Sequence, residues 1–280
     1  MTGIPTDRDS AAGLAALLRP IHETSIRPGA NASLLKYGQE VYELNYKIGD
    51  DITKVAEVLS LSNRFVFLLS LVRELADGSI RTGSIARGEI EITGIDLLIS
   101  NSYFTTIVYA TRCAGPDGSI VKSTYHVLRD SPLRENGAII IPITEDGRII
   151  MIREFRVPAG KAAWQFIRGG ARSDLPDEAL EDLVRREAAE EAGVVCTPQT
   201  RIERIAAVHP LNDLYAQTAA VAVMRDFSCD PASRPTQANE AILGVRAFAV
   251  AEVEGLIRSD QITDDYTLSA FLKARLHGLI

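Results

Sequence analysis

The 280-residue sequence has few cysteines, no long apolar run and no basic, apolar N-terminal leader. Its three cysteines, Cys113, Cys196 and Cys229, are widely spaced and odd in number, which excludes a disulfide framework and is typical of a reducing cytoplasm. The longest apolar run, residues 65–72, is far shorter than the ~20 residues that cross a bilayer. The first residues do not resemble a secretory signal. We therefore expect a cytoplasmic protein without a membrane partner.

The sequence also lacks an excess of basic charge. Lys and Arg total 30 against 37 for Asp and Glu, so the net charge is −7. The overall electrostatic field of such a chain does not attract nucleic acid. An acidic enzyme that acts on a phosphorylated substrate would need a divalent cation to offset the charge repulsion. Motifs of P-loop, GxGxxG, HExxH and EF-hand type are absent. With 46% hydrophobic and 24% charged residues, the composition is typical of a soluble globular protein.

The first 95 residues predict a small, mainly helical domain. Apolar spacing and stop signals predict helices over residues 11–18, 32–47, 51–59 and 63–76. The last two weakly resemble a helix-turn-helix, but the helix that would enter DNA begins with the apolar run Phe65–Leu69, so we do not expect DNA binding. Gly78, Gly83 and Gly88 then indicate a linker or hairpin, which is the best candidate for a domain boundary.

The remainder of the chain alternates short strands and tight turns around one long helix, which predicts an α+β fold. β-branched and aromatic runs separated by Gly-containing turns predict strands at 104–111, 120–128, 138–143, 148–153, 164–167, 205–208, 218–224 and 245–250. Asp146-Gly147 predicts a hairpin between two of them. The long helix is expected from Pro176 to Ala192, capped by Asp174 and stopped by Gly193, and a last helix from Tyr266 to His277.

Three carboxylates crowd one face of the predicted long helix. Glu187, Glu190 and Glu191 stand at i, i+3 and i+4, so they lie within about one third of the helix circumference. Like charges at this spacing destabilise a helix unless something compensates. Arg186 can offset part of the repulsion. One interpretation is a site for Mg²⁺ or Mn²⁺, which prefer oxygen ligands, and the other is a solvated acidic face.

The order of these residues resembles a known motif. Residues 186–194, REAAEEAGV, resemble the core of the Nudix box, and Glu178 stands eight residues before Arg186 as that family expects. The family also has a glycine six residues before that glutamate, where this chain has Arg172. Because Gly170 is the nearest glycine, the loop is longer by two residues than the family pattern.

The resemblance extends to one Nudix subgroup, the ADP-ribose pyrophosphatases. Residues 153–156 with 164–166, residues 239–242 and residues 262–271 are similar to segments of that subgroup, so the resemblance covers about residues 100–278. It implies a mixed sheet sandwiched by helices. The expected domains are residues 1–95 and a Nudix domain of residues 96–280, with N-terminal strands at 100–131 and a catalytic core at 132–280.

The resemblance also implies roles for individual residues. Glu187, Glu190 and Glu191 are the expected catalytic residues, and the same three, Glu240 and the backbone carbonyl of Gly169 are the expected metal ligands. Glu178 is expected to pair with Arg186 and hold the helix in place. Since guanidinium groups suit phosphate oxygens, the candidate substrate contacts are Arg156, Arg129 and Arg168, which can equally be ordinary surface arginines.

The function implied is Mg²⁺- or Mn²⁺-dependent hydrolysis of ADP-ribose or a related nucleoside diphosphate sugar to a nucleoside monophosphate and a sugar phosphate. The subgroup commonly has a second acid, used as a base, where this chain has Ala238, so Glu190 or another residue such as Asp213 would take that role. The alternative is a nucleotide sensor with little turnover that signals through the N-terminal helices. By analogy with the subgroup, we expect a homodimer.

Overall fold

The chain divides into two compact units in the computed structural model. The first contains residues 1–132 and 213–216, and the second residues 133–212 and 217–280. The structure describes residues 18–20, 41–44, 46–47, 74–75, 78–100, 104–130, 137–170, 178–230, 232 and 241–280. The domain boundary predicted at residue 95 falls within a strand of the first unit, and the division into domains stays a prediction.

The described part of the first unit is built on an antiparallel sheet. Its order is β1-β2-β4-β5-β6, with β3 also paired to β4. The strands are β1 (Leu18–Pro20), β2 (Val41–Leu44), β3 (Tyr46–Lys47), β4 (Glu91–Ser100), β5 (Phe104–Ala114) and β6 (Ile120–Asp130). The hairpin predicted between β5 and β6 is confirmed: the Gly118 N–H donates to the Gly115 carbonyl, and Gly118 takes the left-handed conformation that the turn requires.

The helix predicted over residues 32–47 is wrong where the structure describes it. Residues 41–44 and 46–47 are strands that pair with β4, with Val41 opposite Ile99 and Tyr46 opposite Ile95. Short apolar spacing does not distinguish a helix from a strand. The β-branched and aromatic residues of this segment favour a strand, and β4 is available as its partner. Glu74 and Leu75 are helical, in agreement with the predicted fourth helix. The other predicted helices lie outside the described residues, apart from Leu18, which begins β1.

The second unit contains two sheets with helices on both sides. The first sheet has the order β10-β7-β12-β11, in which β7 and β12 are parallel and the other pairs antiparallel. The other sheet, β13-β8-β9, is antiparallel. The strands are β7 (Gly137–Pro142), β8 (Ile149–Arg156), β9 (Lys161–Gln165), β10 (Ile167–Gly170), β11 (Val194–Val208), β12 (Ala219–Cys229) and β13 (Ile242–Phe248).

Three helices cover these sheets: α1 (Leu180–Ala192), α2 (Val250–Arg258) and α3 (Asp265–Leu276). Alternate residues of β7 face opposite cores, because successive strand side chains point to opposite sides. Ile140 packs in the core that contains Val184 of α1, and Ile141 packs in the core that contains Phe271 of α3. The predicted α+β fold with a mixed sheet between helices is confirmed. No helix that the structure describes is long and apolar enough to cross a membrane.

The turn predicted at Asp146-Gly147 is confirmed, but the hairpin is not. The Gly147 N–H donates to the Thr144 carbonyl, and the two flanking strands then separate into different sheets after a single bridge between Ile143 and Ile149. The Asp-Gly sequence predicts where the chain reverses but not which strands pair. β7 pairs in parallel with β12, which is about 80 positions away.

The helix predicted from Pro176 begins later, at Leu180, and Asp174 is not its cap. The N-cap residue is Ala179, which is extended. In one continuous helix, residues 178 and 186 would be about 12 Å apart along the axis. The later start lets Glu178 fold back against Arg186. The predicted stop at Gly193 is confirmed, with φ at 68°.

Two further elements differ from the prediction. β11 extends over 15 residues, whereas a strand was predicted only for residues 205–208. Pro198 and the polar residues of this segment are not typical of a strand. The pairing of β11 with β12 also contains two register shifts. α2 was not predicted, and its first residue, Val250, was predicted as the end of a strand. It begins after Ala249, whose N–H donates to the Glu252 carboxylate at 2.8 Å, and it buries Val253.

Candidate active site

Two of the three predicted carboxylates lie on the buried face of α1. Glu187 is 7% exposed and Glu191 is 4% exposed, on the face that also buries Leu183 and Ala188. The Glu190 side chain, one position around the helix, is 22% exposed. Carboxylates are buried at a large cost unless they are paired or hydrogen-bonded, so the groups that surround them define the site.

The strand β10 lies directly against these two carboxylates. The backbone N–H of Arg168 donates to Oε2 of Glu191 at 3.2 Å. At Gly169, an added Cβ would lie 1.9 Å from Cδ and 2.1 Å from Oε1 of Glu187, so a side chain at this position would have to displace the Glu187 carboxylate. An added Cβ at Gly170 would meet nothing within 4 Å. The steric restriction at position 169 therefore comes from the neighbouring Glu187 carboxylate.

Arg186 joins the chain before α1 to the carboxylates on it. Its Nε and one terminal nitrogen donate to both oxygens of Glu178, at 2.9 and 2.8 Å. The other terminal nitrogen donates to Glu187 at 2.7 Å and to Glu190 at 3.2 Å. A further bond at 3.1 Å reaches the Gly170 carbonyl. The hydrogen bond that Arg186 donates to Glu178, together with the charge of Glu187, raises the pKa of Arg186 above its usual value. One permanent positive charge therefore offsets part of the negative charge of these carboxylates.

Two of the three predicted substrate arginines lie in the second unit. Arg156 donates to the Gln165 side-chain oxygen at 3.2 Å and pairs with Glu154 at 2.8 Å, and its side chain is 38% exposed. Burial and the nearby charge of Arg168 lower the pKa of Arg156. Glu191 acts in the opposite direction on the same guanidinium. Arg156 therefore shares the electrostatic environment of the buried carboxylates.

Arg168 is held within the fold by its side chain as well as its backbone. Its terminal nitrogens donate to Asp264 and to Gln165, each at 3.1 Å. The guanidinium lies 4.7 Å from the centre of the Tyr266 ring, at cation–π distance. Its Nε is buried without a hydrogen-bond partner among the described residues. Asp264 also caps α3 by accepting from the Thr267 N–H, so the arginine is tied to the start of that helix.

The polar groups around these arginines were not predicted. Gln165, Glu154 and Asp264 were recognised only as parts of family-like segments, and no role was predicted for any of them. Asp264 carried a usable signal, since an aspartate directly before a helix is a common N-cap. No sequence signal links Asp264 to Arg168, which is 96 positions away.

The structure does not place all predicted site residues together. Glu240 and Ala238 lie outside the described residues. Arg129 belongs to the first unit, where it pairs with Glu74 at 3.1 Å. Asp213 also belongs to the first unit. The roles predicted for these residues stay predictions.

The described residues fit a divalent cation through the chemistry of their donors rather than through a preformed cage. No group of three or more histidine, cysteine, aspartate or glutamate side chains in the described ranges is close enough to hold a metal ion. The oxygens available at α1 and β10 are nevertheless the hard ligands that Mg²⁺ prefers. This ion is usually held by one or two carboxylates together with water and substrate phosphates.

The comparisons identify the segment that contains α1 and β10. Residues 133–271 match the model of the NUDIX domain family. This part of the chain is a NUDIX domain. The resemblance noticed in residues 186–194 is thereby confirmed, and this segment belongs to the Nudix family.

A solved structure supports the fold of this Nudix hydrolase. The crystal structure of an ADP compounds hydrolase is similar with a TM-score of 0.50 and 18% sequence identity, over 69% of this chain and 95% of that one. At this identity the likeness concerns the fold alone. No curated protein matches the sequence.

Gly169→Ala is expected to reduce hydrolase activity about 100-fold, because the new methyl group would displace the Glu187 carboxylate, and a shift of about 1 Å at a reacting group has effects of this size. The measurement is kcat with a nucleoside diphosphate substrate, together with circular dichroism to show that the fold is retained. Gly170→Ala is the matched control and should stay within about twofold of the wild type. Equal activity of the two variants would show that the close contact between Gly169 and Glu187 has no effect on activity.

Glu178→Gln is expected to lower the free energy of unfolding by about 1.5–3 kcal/mol, since it removes a charge from a bidentate pair whose side chains are only 5% and 16% exposed. Denaturant unfolding measures this difference. Glu181→Gln is the control, because Glu181 forms an exposed pair with Arg185 one helical turn away and exposed pairs contribute little. A smaller loss for Glu178→Gln than for Glu181→Gln would contradict the proposed role of the pair.

Proposed function

We propose that this Nudix hydrolase cleaves the diphosphate of ADP-ribose or a related nucleoside diphosphate sugar. Water attacks one phosphorus, the bond from that phosphorus to the bridging oxygen breaks, and the products are a nucleoside monophosphate and a sugar phosphate. The observation that supports this most directly is the buried pair Glu187 and Glu191 beside Gly169 within the NUDIX domain. Nothing in the described residues selects the base or the sugar, so ADP-ribose rests on the subgroup resemblance.

The proposal includes Mg²⁺ or Mn²⁺ as the cofactor, held by Glu187, Glu190, Glu191 and the Gly169 carbonyl, with Glu240 as a further ligand. Bound there, the cation would neutralise phosphate charge and lower the pKa of a coordinated water. The protein's own contribution is to hold two carboxylates rigidly against β10. The Arg168 N–H and the Arg186 guanidinium keep these oxygens oriented before any substrate arrives.

Glu190 is our candidate for the general base, given that Ala238 occupies the position where the subgroup has an acid. Its side chain is more exposed than those of Glu187 and Glu191, so water can reach it. Arg186 holds it at 3.2 Å. A base must lie within hydrogen-bond reach of the attacking water, and of the three predicted carboxylates Glu187, Glu190 and Glu191, Glu190 is the most accessible.

Arg156 is the stronger candidate for a phosphate contact, since it is partly exposed and lies in the field of Glu191. Arg168 would act from a position fixed by Asp264 and Gln165. Arg129 is retained as a proposal from the sequence alone. Guanidinium groups suit phosphate oxygens because they present several donors in one plane.

Glu191→Gln is expected to reduce kcat for ADP-ribose about 100-fold or more, because the amide keeps the shape of the side chain and removes the charge that would hold the cation. The assay follows release of the monophosphate with Mg²⁺, with Mn²⁺ and with a chelator. Asp182→Asn, on the exposed side of the same helix, is the control. Near-normal activity of Glu191→Gln, or full activity with the chelator, would refute the metal assignment.

The alternative function is a nucleotide sensor with little turnover. It is distinguished by the same assay, extended to a panel of nucleotide sugars. Tight binding of a panel member without release of product would favour the sensor, and rapid multiple turnover would exclude it. No turnover of any member, with or without binding, would refute the hydrolytic proposal.

We also propose that the protein is a homodimer located in the cytoplasm. β6 lies at the edge of the first unit's sheet, and Ile120 and Val121 on it are about half exposed. Exposed edge strands are ready partners for a second chain. The three free thiols agree with a reducing compartment. Sedimentation equilibrium should give twice the 30.5 kDa of one chain, and a single-chain mass would refute the dimer.

A further inference from the structure

The first unit contains a pocket whose lining includes none of the residues assigned to hydrolysis. Its volume is about 420 Å³, and all of its lining residues belong to this unit. Small organic molecules commonly occupy pockets of about 300–1,000 Å³ with mainly apolar and aromatic walls. The pocket is thus large enough for one small ligand.

The floor of the pocket is one face of the sheet formed by β4, β5 and β6. Tyr109 and Tyr125 are directly opposite each other on β5 and β6, and Thr111 and Val127 extend the same face. The Tyr125 hydroxyl is occupied, because it donates to the Asp213 carbonyl at 2.8 Å. The floor is therefore aromatic and apolar, with one tyrosine hydroxyl already engaged.

The opposite wall is the segment of residues 81–90, which folds back on itself. An added Cβ at Gly83 would lie 1.9 Å from the Ile90 carbonyl oxygen, and Gly83 has φ of 78°. The Ile92 N–H donates to the Thr82 carbonyl at 2.7 Å, which ties the segment to β4. Close backbone packing gives the wall a defined position, with Ile90 half exposed beside the pocket.

The charges around the pocket are paired with opposite charges. On the wall, Glu89 pairs with Arg81 and, at 3.1 Å, with Arg87. Near the floor, Arg129 pairs with Glu74 at 3.1 Å. A charged ligand would have to break one of these pairs to gain a counter-ion of its own. The pocket is accordingly suited to an uncharged molecule and not to a nucleoside diphosphate.

The remaining polar group is the hydroxyl of Tyr109. This residue is 5% exposed and belongs to the lining of the pocket. Burial raises the pKa of Tyr109 to about 12, so the group is a hydroxyl at neutral pH. A ligand that carries an acceptor could therefore accept a hydrogen bond from this hydroxyl.

The geometry points to a second binding site in this protein, for an uncharged, planar heteroaromatic molecule that stacks between the tyrosine floor and Ile90 and accepts a hydrogen bond from Tyr109. This inference does not depend on the proposed hydrolytic function. The ligand differs in class from the substrate, because it carries no phosphate.

The probe for this site is 4-quinazolinone, a neutral bicyclic heteroaromatic with a carbonyl acceptor, and its binding to the full chain is measured by ligand-observed NMR titration. Quinoline-4-carboxylate is the charged probe of similar size. We expect saturable binding of 4-quinazolinone and at least fivefold weaker binding of the carboxylate. Equal or tighter binding of the carboxylate, or no saturable binding of 4-quinazolinone at millimolar concentration, would overturn the inference.

Two variants locate the binding. Ile90→Trp places a larger side chain at the rim and is expected to weaken 4-quinazolinone binding at least tenfold, whereas Leu272→Trp, at a similarly exposed apolar residue of the second unit outside the pocket, should leave it unchanged. Tyr109→Phe should weaken binding about threefold to tenfold, the size expected for one hydrogen bond. Unchanged binding to Ile90→Trp, or equal losses in both tryptophan variants, would show that the probe binds elsewhere.

Discussion

The burial of two carboxylates between α1 and β10 is the constraint on which the site depends. Glu187 and Glu191 are turned toward the core in a chain of net charge −7, an arrangement that needs compensation at short range. The compensation is local: Arg186 supplies a positive charge to Glu187, and the Arg168 backbone N–H donates to Glu191. A positive charge and an N–H donor both favour the anionic form of a carboxylate, which is the form that a hard cation requires.

This constraint also explains the chain on either side of the site. Glu178 must reach Arg186, so α1 begins at Leu180 and the residue before it is extended. Gly169 lies against Glu187, so a side chain at position 169 would displace that carboxylate. Arg168, which contributes its backbone to Glu191, is fixed through its side chain by Asp264 at the start of α3. Both α1 and α3 are thus connected to β10 by hydrogen bonds of Arg168.

The features that the sequence predicted well are those that a single segment determines. The carboxylate face of α1 follows from helical periodicity, the end of α1 from Gly193, and the turn at Gly147 from its dipeptide. The pairing of Glu178 with Arg186 followed from family resemblance, and in the structure this pair is bidentate. Features made by distant segments were missed: the separation of β7 and β8 into two sheets, the contact of Arg168 with Asp264, and the pocket formed by residues 81–90 over β5 and β6. Local pattern holds no information about which distant partner a strand or side chain will meet.

The most direct test of the account is the position of a bound cation. Crystals of the protein soaked with Mn²⁺ and measured at the manganese absorption edge would give an anomalous peak for each ordered ion. The account predicts a peak at coordination distance from the carboxylates of Glu187 and Glu191, close to the Gly169 carbonyl. A peak held only by other side chains, with both carboxylates still bound to Arg186 and the Arg168 N–H, would contradict it.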